Sequence, residues 1–235
     1  MFSAFSSTNK RHRTIENEAE NNVKDFHNTI TDTVNCYRSG NKIYFCDQIN
    51  WNSVFVLNKM LRDLQDEIIN EGTQTKSKLP SDSLYCNVKI EPIPIMLYLT
   101  TYGGIVHAAW SVVDTIQTLS VPVYSIIDGF VASAGTIISM AAERRFIREN
   151  AYLLIHEIRS GIWGKYGDII VEKDNADKIM NHIIDFYLSR NVKLSRDELA
   201  TILSKDIVLN ANDALEKGLV DQTFTKETFS LSSSL

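Results

Sequence analysis

Cysteine is scarce in this chain. Cys36, Cys46 and Cys86 form an odd count without metal-ligand spacing, which argues against a disulfide framework and a structural zinc site and points to a reducing compartment. A net positive charge is also missing. Lys and Arg number 24 against 29 Asp and Glu, a formal charge of −5, and no dense basic stripe is present, so nucleic acid is not the expected partner. The short "KRHR" from Lys10 to Arg13 is read as a solvated tail. No window approaches the about 18 uninterrupted apolar residues of a membrane span, and "MFSAFSSTNKRHR" lacks the apolar stretch of a signal peptide. The expectation is a soluble cytoplasmic protein without a membrane partner, with organellar or viral-host cytoplasm left open.

What is present is enough for one well-filled core: 235 residues suit a single α/β domain plus an appendage. Residues 1–33 are polar and read as an N-terminal arm, 34–225 as the folded body, and 226–235, with "SLSSSL", as a flexible tail. "KIYFCDQI" has strand composition, and Val54, Leu57, Leu61, Leu64 and Ile68 then recur at helical spacing. Residues 70–94 lose that period and gather turn formers, so they are read as a loop or inserted hairpin. Beyond them strands alternate with helices: "IPIMLYLTT", "VHAAWSVVDTIQTL", "VPVYSIIDGFVA", a helix from about Ser133, and two short strands in "RFIRENAYLLIHE". A long helix comes next, with Ile169, Ile179, Ile183 and Phe186 as its expected buried stripe, then "SRDELATIL" with a capping box from Ser195 to Glu198, and a last helix stopping at Gly218. This alternation predicts a mostly parallel sheet with helical cover.

Ser133 stands among small residues in "GFVASAG". One reading makes it a helix N-cap. The other makes it a nucleophile, since Ala132, Ala134 and Gly135 leave room for close backbone approach and a helix N-terminus favours a developing oxyanion. It is not the α/β-hydrolase elbow, because Val131 stands where that motif needs glycine. Of five histidines, His12 and His27 lie in the arm and His107 and His182 in polar helical surroundings, whereas His156 ends the apolar strand "AYLLIH". It is either an inert structural imidazole or a general base at the sheet rim. Asp206 is either a solvated turn aspartate or the carboxylate that orients that base. Gly103 and Gly104, between a strand and a helix, serve either a tight turn or, with Ala134, an oxyanion hole.

Four ordered blocks, "TTYGGIV", "GFVASAG", "RFIRENAYLLIHE" and "LNANDALEKGLVD", resemble the signatures of the Clp protease proteolytic subunit family over about Asn41 to Asp221. The resemblance implies a crotonase-like ββα superhelix with a long protruding handle helix after "GIWGKYGD". It implies a serine endopeptidase with Ser133 as nucleophile, His156 as general base and acid, and Asp206 as orienting carboxylate. The oxyanion hole would be built around Gly103, Gly104 and Ala134. It further implies a homo-oligomer of two stacked seven-membered rings that receives unfolded protein substrates from a Clp-type AAA+ unfoldase. Cofactor and metal are expected to be none in this chain: ATP would be used by the partner, and no phosphate-binding G-x-x-x-x-G-K loop occurs. The chain departs from the family pattern at Tyr102, Ala134, Glu157-Ile158 and Ser204-Lys205. A catalytically silent subunit that assembles with an active paralogue is the alternative reading. An acyl-CoA-handling crotonase-type enzyme is a third, and a related signal-peptide peptidase is disfavoured for want of an anchor.

Overall fold

β-Branched and aromatic runs make most of the strands, and glycine or a polar turn ends several of them. The computed structural model describes residues 34–77, 92–161 and 163–225. The arm at 1–33, residues 78–91 of the expected insertion and the tail at 226–235 lie outside the described residues. The described residues from Cys36 onward form one compact unit.

β1 (Cys36–Ser39) and β2 (Lys42–Phe45) form an antiparallel hairpin turned by Gly40, whose φ of 59° suits a residue without Cβ. Helix α1 (Trp51–Ser77) comes next and buries Val54, Leu57, Leu61 and Leu64. It runs seven residues past Asn70, where a loop was expected. Loss of apolar period there marks the point where the helix leaves the core and not its end, and Thr73 still donates its hydroxyl proton to the Ile69 carbonyl.

β3 (Ile95–Thr101) is almost wholly buried and pairs in parallel with β2 on one side and β4 (Val123–Ala132) on the other. Helix α2 (Val106–Thr118) joins them. Along the edge away from β3, the ten residues of β4 serve two partners. Its first half pairs with β5 (Arg144–Ile147), and its second half pairs with β6 (Tyr152–Leu154). Between the halves, at Asp128-Gly129, Gly129 takes a φ of 85° and the register against β3 shifts. Past this irregularity β4 still pairs with β3 at Val131 and with β6, and its C-terminal end presents the next turn of chain at the rim of the sheet.

Helix α3 (Ala134–Ala141) starts from that rim and is buried along its whole length. Helix α4 (Tyr166–Ser189) buries only its C-terminal half, through Ile183, Ile184, Phe186 and Tyr187. Ile169, expected in the buried stripe, is 43 % exposed, together with Tyr166, Ile170 and Val171. The apolar period continues, but no part of the described chain covers that end. Helix α5 (Arg196–Leu203) has the expected Ser195–Glu198 capping box, and its helix-capping contacts hold the Glu198 carboxyl below its usual range. β7 (Val208–Asn210) pairs antiparallel with β6. Helix α6 (Ala211–Glu216) is capped by Asn210 and followed by Gly218 at φ 70°, and β8 (Gln222–Thr223) closes the sheet beside β5. The mostly parallel α/β sheet is as expected.

One sheet face carries a ladder of rings. Tyr37, Tyr44 and Tyr98 stack at 4.7 Å centroid spacing, and Phe224 meets Tyr98 edge-on. At the far edge Arg145 is buried against Asp221, whose carboxylate accepts from both its guanidinium and its backbone N–H. This ion pair ties β5 to the segment that enters β8.

Candidate active site

Ser133 occupies the junction of β4 and α3 with φ 55° and ψ −127°. A side-chain residue in this region costs about 1–3 kcal/mol and persists only when its surroundings hold it. They do so from both sides. The Ser133 N–H donates to the Leu154 carbonyl at 2.8 Å, while its own carbonyl accepts from the Thr136 N–H at 2.9 Å and the Thr136 hydroxyl at 2.6 Å. The Ser133 hydroxyl makes no capping bond. The helix-cap explanation for this serine therefore does not hold, and its Oγ is left for other work.

His156 follows β6 with its side chain 13 % exposed, and it lines one small cavity together with Ser133, Ala134, Ile137 and Ile158. Asp206, at φ 50° between α5 and β7, comes beside it. Its Oδ1 lies 3.9 Å from His156 Nδ1, within ion-pair range but beyond hydrogen-bond distance. The His156 Nδ1 is buried without a partner, and the Asp206 Oδ2 instead accepts from Arg159 Nη2 at 2.5 Å. The three residues expected to form a triad are thus neighbours, with the His–Asp hydrogen bond open.

Of the paired glycines, Gly103 packs against the serine and Gly104 against Ile49. A Cβ on Gly103 would lie 2.6 Å from Ser133 Cβ and 3.2 Å from the Ala134 nitrogen, and one on Gly104, at φ 150°, would run into the Ile49 carbonyl oxygen. The loop is held to the segment before α1 by bonds from Ile49 N–H to the Gly103 carbonyl (2.9 Å) and from Ile105 N–H to the Ile49 carbonyl (2.8 Å). The Gly103 N–H already donates to Thr101 Oγ1 at 3.1 Å. Of the three residues expected around an oxyanion, Gly103 thus has its amide engaged within its own turn. Gly104 and Ala134 keep N–H groups that meet no acceptor among the described residues. Ala134 N–H also opens α3, where the helix dipole adds positive potential.

Three contributors escaped sequence reading. Thr136 stands at the third position after Ser133, a spacing that could have signalled a contact within the first turn. Tyr187 reaches the Thr136 hydroxyl from α4, 51 residues away, and Arg159 meets Asp206 across 47 residues. Neither leaves a local signal. Among the described residues no group of three or more His, Cys, Asp or Glu is placed to hold a metal ion, and no helix is long and apolar enough to cross a membrane.

The model of the Clp protease family matches residues 52–227. This chain belongs to the Clp protease family. Its curated Clp protease relatives include the "ATP-dependent Clp protease proteolytic subunit 2" of Treponema pallidum, 28 % identical over 80 % of this chain and 89 % of that protein. The "ATP-dependent Clp protease proteolytic subunit" of Deinococcus radiodurans is 27 % identical over 68 % of this chain and 81 % of its own length. Among solved structures, a point mutant of ClpP1 from Listeria monocytogenes superposes with a TM-score of 0.64 at 20 % identity, covering 80 % of this chain and 94 % of that one. The α/β fold is therefore that of ClpP.

Proposed function

We infer that this chain is the proteolytic subunit of an ATP-dependent Clp protease and is itself an active serine endopeptidase. The observation that carries the reading is Ser133, held in a strained conformation at a helix N-terminus, its hydroxyl free of capping duty, in one cavity with His156. In the proposed reaction His156 removes the Ser133 hydroxyl proton as Oγ attacks the peptide carbonyl carbon. The oxyanion that forms is held by the Gly104 and Ala134 amides, each such donor typically worth about 2.7–4 kcal/mol. The imidazolium returns its proton to the leaving amine, and water, deprotonated by the same imidazole, releases the acyl group. Asp206 orients and stabilises the imidazolium once its carboxylate closes on Nδ1. The residues supply every proton transfer, so the proposed chemistry uses no cofactor in this chain.

Assembly into two stacked seven-membered rings, and delivery of unfolded substrates by a Clp-type AAA+ unfoldase, are part of the same proposal. The relatives' names, ATP-dependent and subunit, support an assembly with an ATP-using partner, and the uncovered apolar residues at the N-terminal half of α4, where a second ring would find Ile169, Ile170 and Val171, support a contact between copies. The test is fluorophosphonate labelling of the wild type and of Ser133→Ala, read by intact mass, with particle size from native mass spectrometry. One adduct on the wild type in a ring-sized particle, absent from Ser133→Ala, is the expected result. An assembled particle that never reacts, with its unfoldase present, overturns the reading.

A further inference from the structure

Two groups compete for one carboxylate. Asp206 Oδ2 is held by Arg159 Nη2 at 2.5 Å, Oδ1 stops 3.9 Å from His156 Nδ1, and that nitrogen is buried with no partner. A buried polar nitrogen without a hydrogen bond is disfavoured, and a shift of about 1 Å in the carboxylate would supply one. The shift is opposed from the solvent side. Arg159 is 75 % exposed and Asp206 49 % exposed, so their ion pair pulls the carboxylate outward, away from the imidazole.

We propose that Arg159 is a positioning residue that withholds Asp206 from His156 and thereby restrains the Ser133–His156 pair. With the guanidinium engaged, the imidazole lacks the carboxylate that selects its orientation and stabilises its protonated form, and a second positive charge stands nearby. With the guanidinium turned to water or to another anion, Asp206 closes on Nδ1 and completes the set. The contact is exposed, so the two arrangements differ by no more than a surface ion pair, and the restraint is readily reversed. No covalent step is involved. The proposal rests on the reading of Ser133, His156 and Asp206 as one catalytic set.

The experiment compares the assembled wild type, Arg159→Gln and Arg159→Lys by crystallography, by the rate of Ser133 labelling with a fluorophosphonate, and by kcat and KM on a fluorogenic peptide at low and high ionic strength. In Arg159→Gln the Oδ1–Nδ1 distance is expected to fall below about 3.2 Å, and labelling and kcat to rise about two- to five-fold with KM unchanged, the range an exposed ion pair commands. High salt should raise the wild-type rate and leave Arg159→Gln unmoved, while Arg159→Lys keeps the wild-type rate. A carboxylate that stays away from His156 in Arg159→Gln overturns the proposal whether or not Ser133 reacts. Where the wild type labels at Ser133, a rate that falls or does not change in Arg159→Gln overturns it as well. If the carboxylate closes while Ser133 stays unlabelled in both forms, the restraint stands and the peptidase reading fails.

Discussion

The phenol oxygen of Tyr187 lies 2.5 Å from the hydroxyl oxygen of Thr136, and that hydroxyl in turn donates to the Ser133 carbonyl at 2.6 Å. Thr136 spends its one proton on Ser133, so Tyr187 is the donor in the first bond. Burial pushes the Tyr187 phenol above its usual range, which keeps it protonated for that role. A side chain from the buried end of α4 thus fixes the turn that holds the nucleophile. Tyr187→Phe leaves Thr136 without this donor and is expected to cost about 0.5–1.5 kcal/mol in urea unfolding. Because the ring remains, peptide hydrolysis should lose kcat with little change in KM.

Gly103→Ala places a methyl group 2.6 Å from Ser133 Cβ and 2.8 Å from the Ala132 carbonyl oxygen, at a φ of 93° that side chains rarely adopt. Either the glycine loop or the serine turn has to move. A misplacement near 1 Å costs on the order of 10²-fold in rate, so phosphonate labelling at Ser133 should slow by about that factor in a particle of unchanged size. Labelling at the wild-type rate would show that the loop yields and the serine does not.

Ser133→Ala and Ser133→Gly separate chemistry from strain. Both remove Oγ and abolish labelling. The positive φ penalises any Cβ, so Ser133→Gly is expected to be more stable than Ser133→Ala by about 1 kcal/mol. Equal denaturation midpoints would mean that the backbone relaxes once the hydroxyl is gone.

Arg190 closes the other end of the nucleophile helix. Its guanidinium donates to the carbonyls of Met140 and Ala142 at 2.8 Å and of Ala141 at 3.2 Å, the last acceptors of α3. Arg190→Ala should destabilise the fold by about 1.5–3 kcal/mol, measured by chemical denaturation. Arg190→Lys recovers part of this through charge at the helix C-terminus, without the fork of donors.

Burial, with the charges of Cys46 and Asp47 adding to it, pushes the Cys36 thiol up to about 12 from 9.0. The folded value lies above the unfolded one, so the favourable contribution is complete below pH 9.0 and is lost as pH rises from there towards about 12. The stability of the wild type should therefore decline above that pH more steeply than that of Cys36→Ala, followed by urea midpoints between neutral and alkaline pH. At neutral pH a thiol reagent should modify the exposed Cys46 and spare Cys36, as mapped by peptide mass.

The order of strands and helices, the capping box at Ser195 and Glu198, the stop at Gly218 and the placing of Ser133 at the start of a helix were all determined by the sequence alone. Each depends on residues within a turn or two of one another, where side-chain size, capping chemistry and apolar period act directly. The nearness of Ser133, His156 and Asp206 was legible only through the resemblance of four ordered blocks, because spacing along the chain carries no distance in space. The tertiary structure decided the rest. It committed the Gly103 amide to Thr101, left Ile169 uncovered on α4, brought Tyr187 to Thr136, and turned Asp206 towards Arg159. The Tyr187–Thr136 and Arg159–Asp206 contacts join residues 51 and 47 apart, and long-range packing, which settles such contacts, has no local signature in the chain.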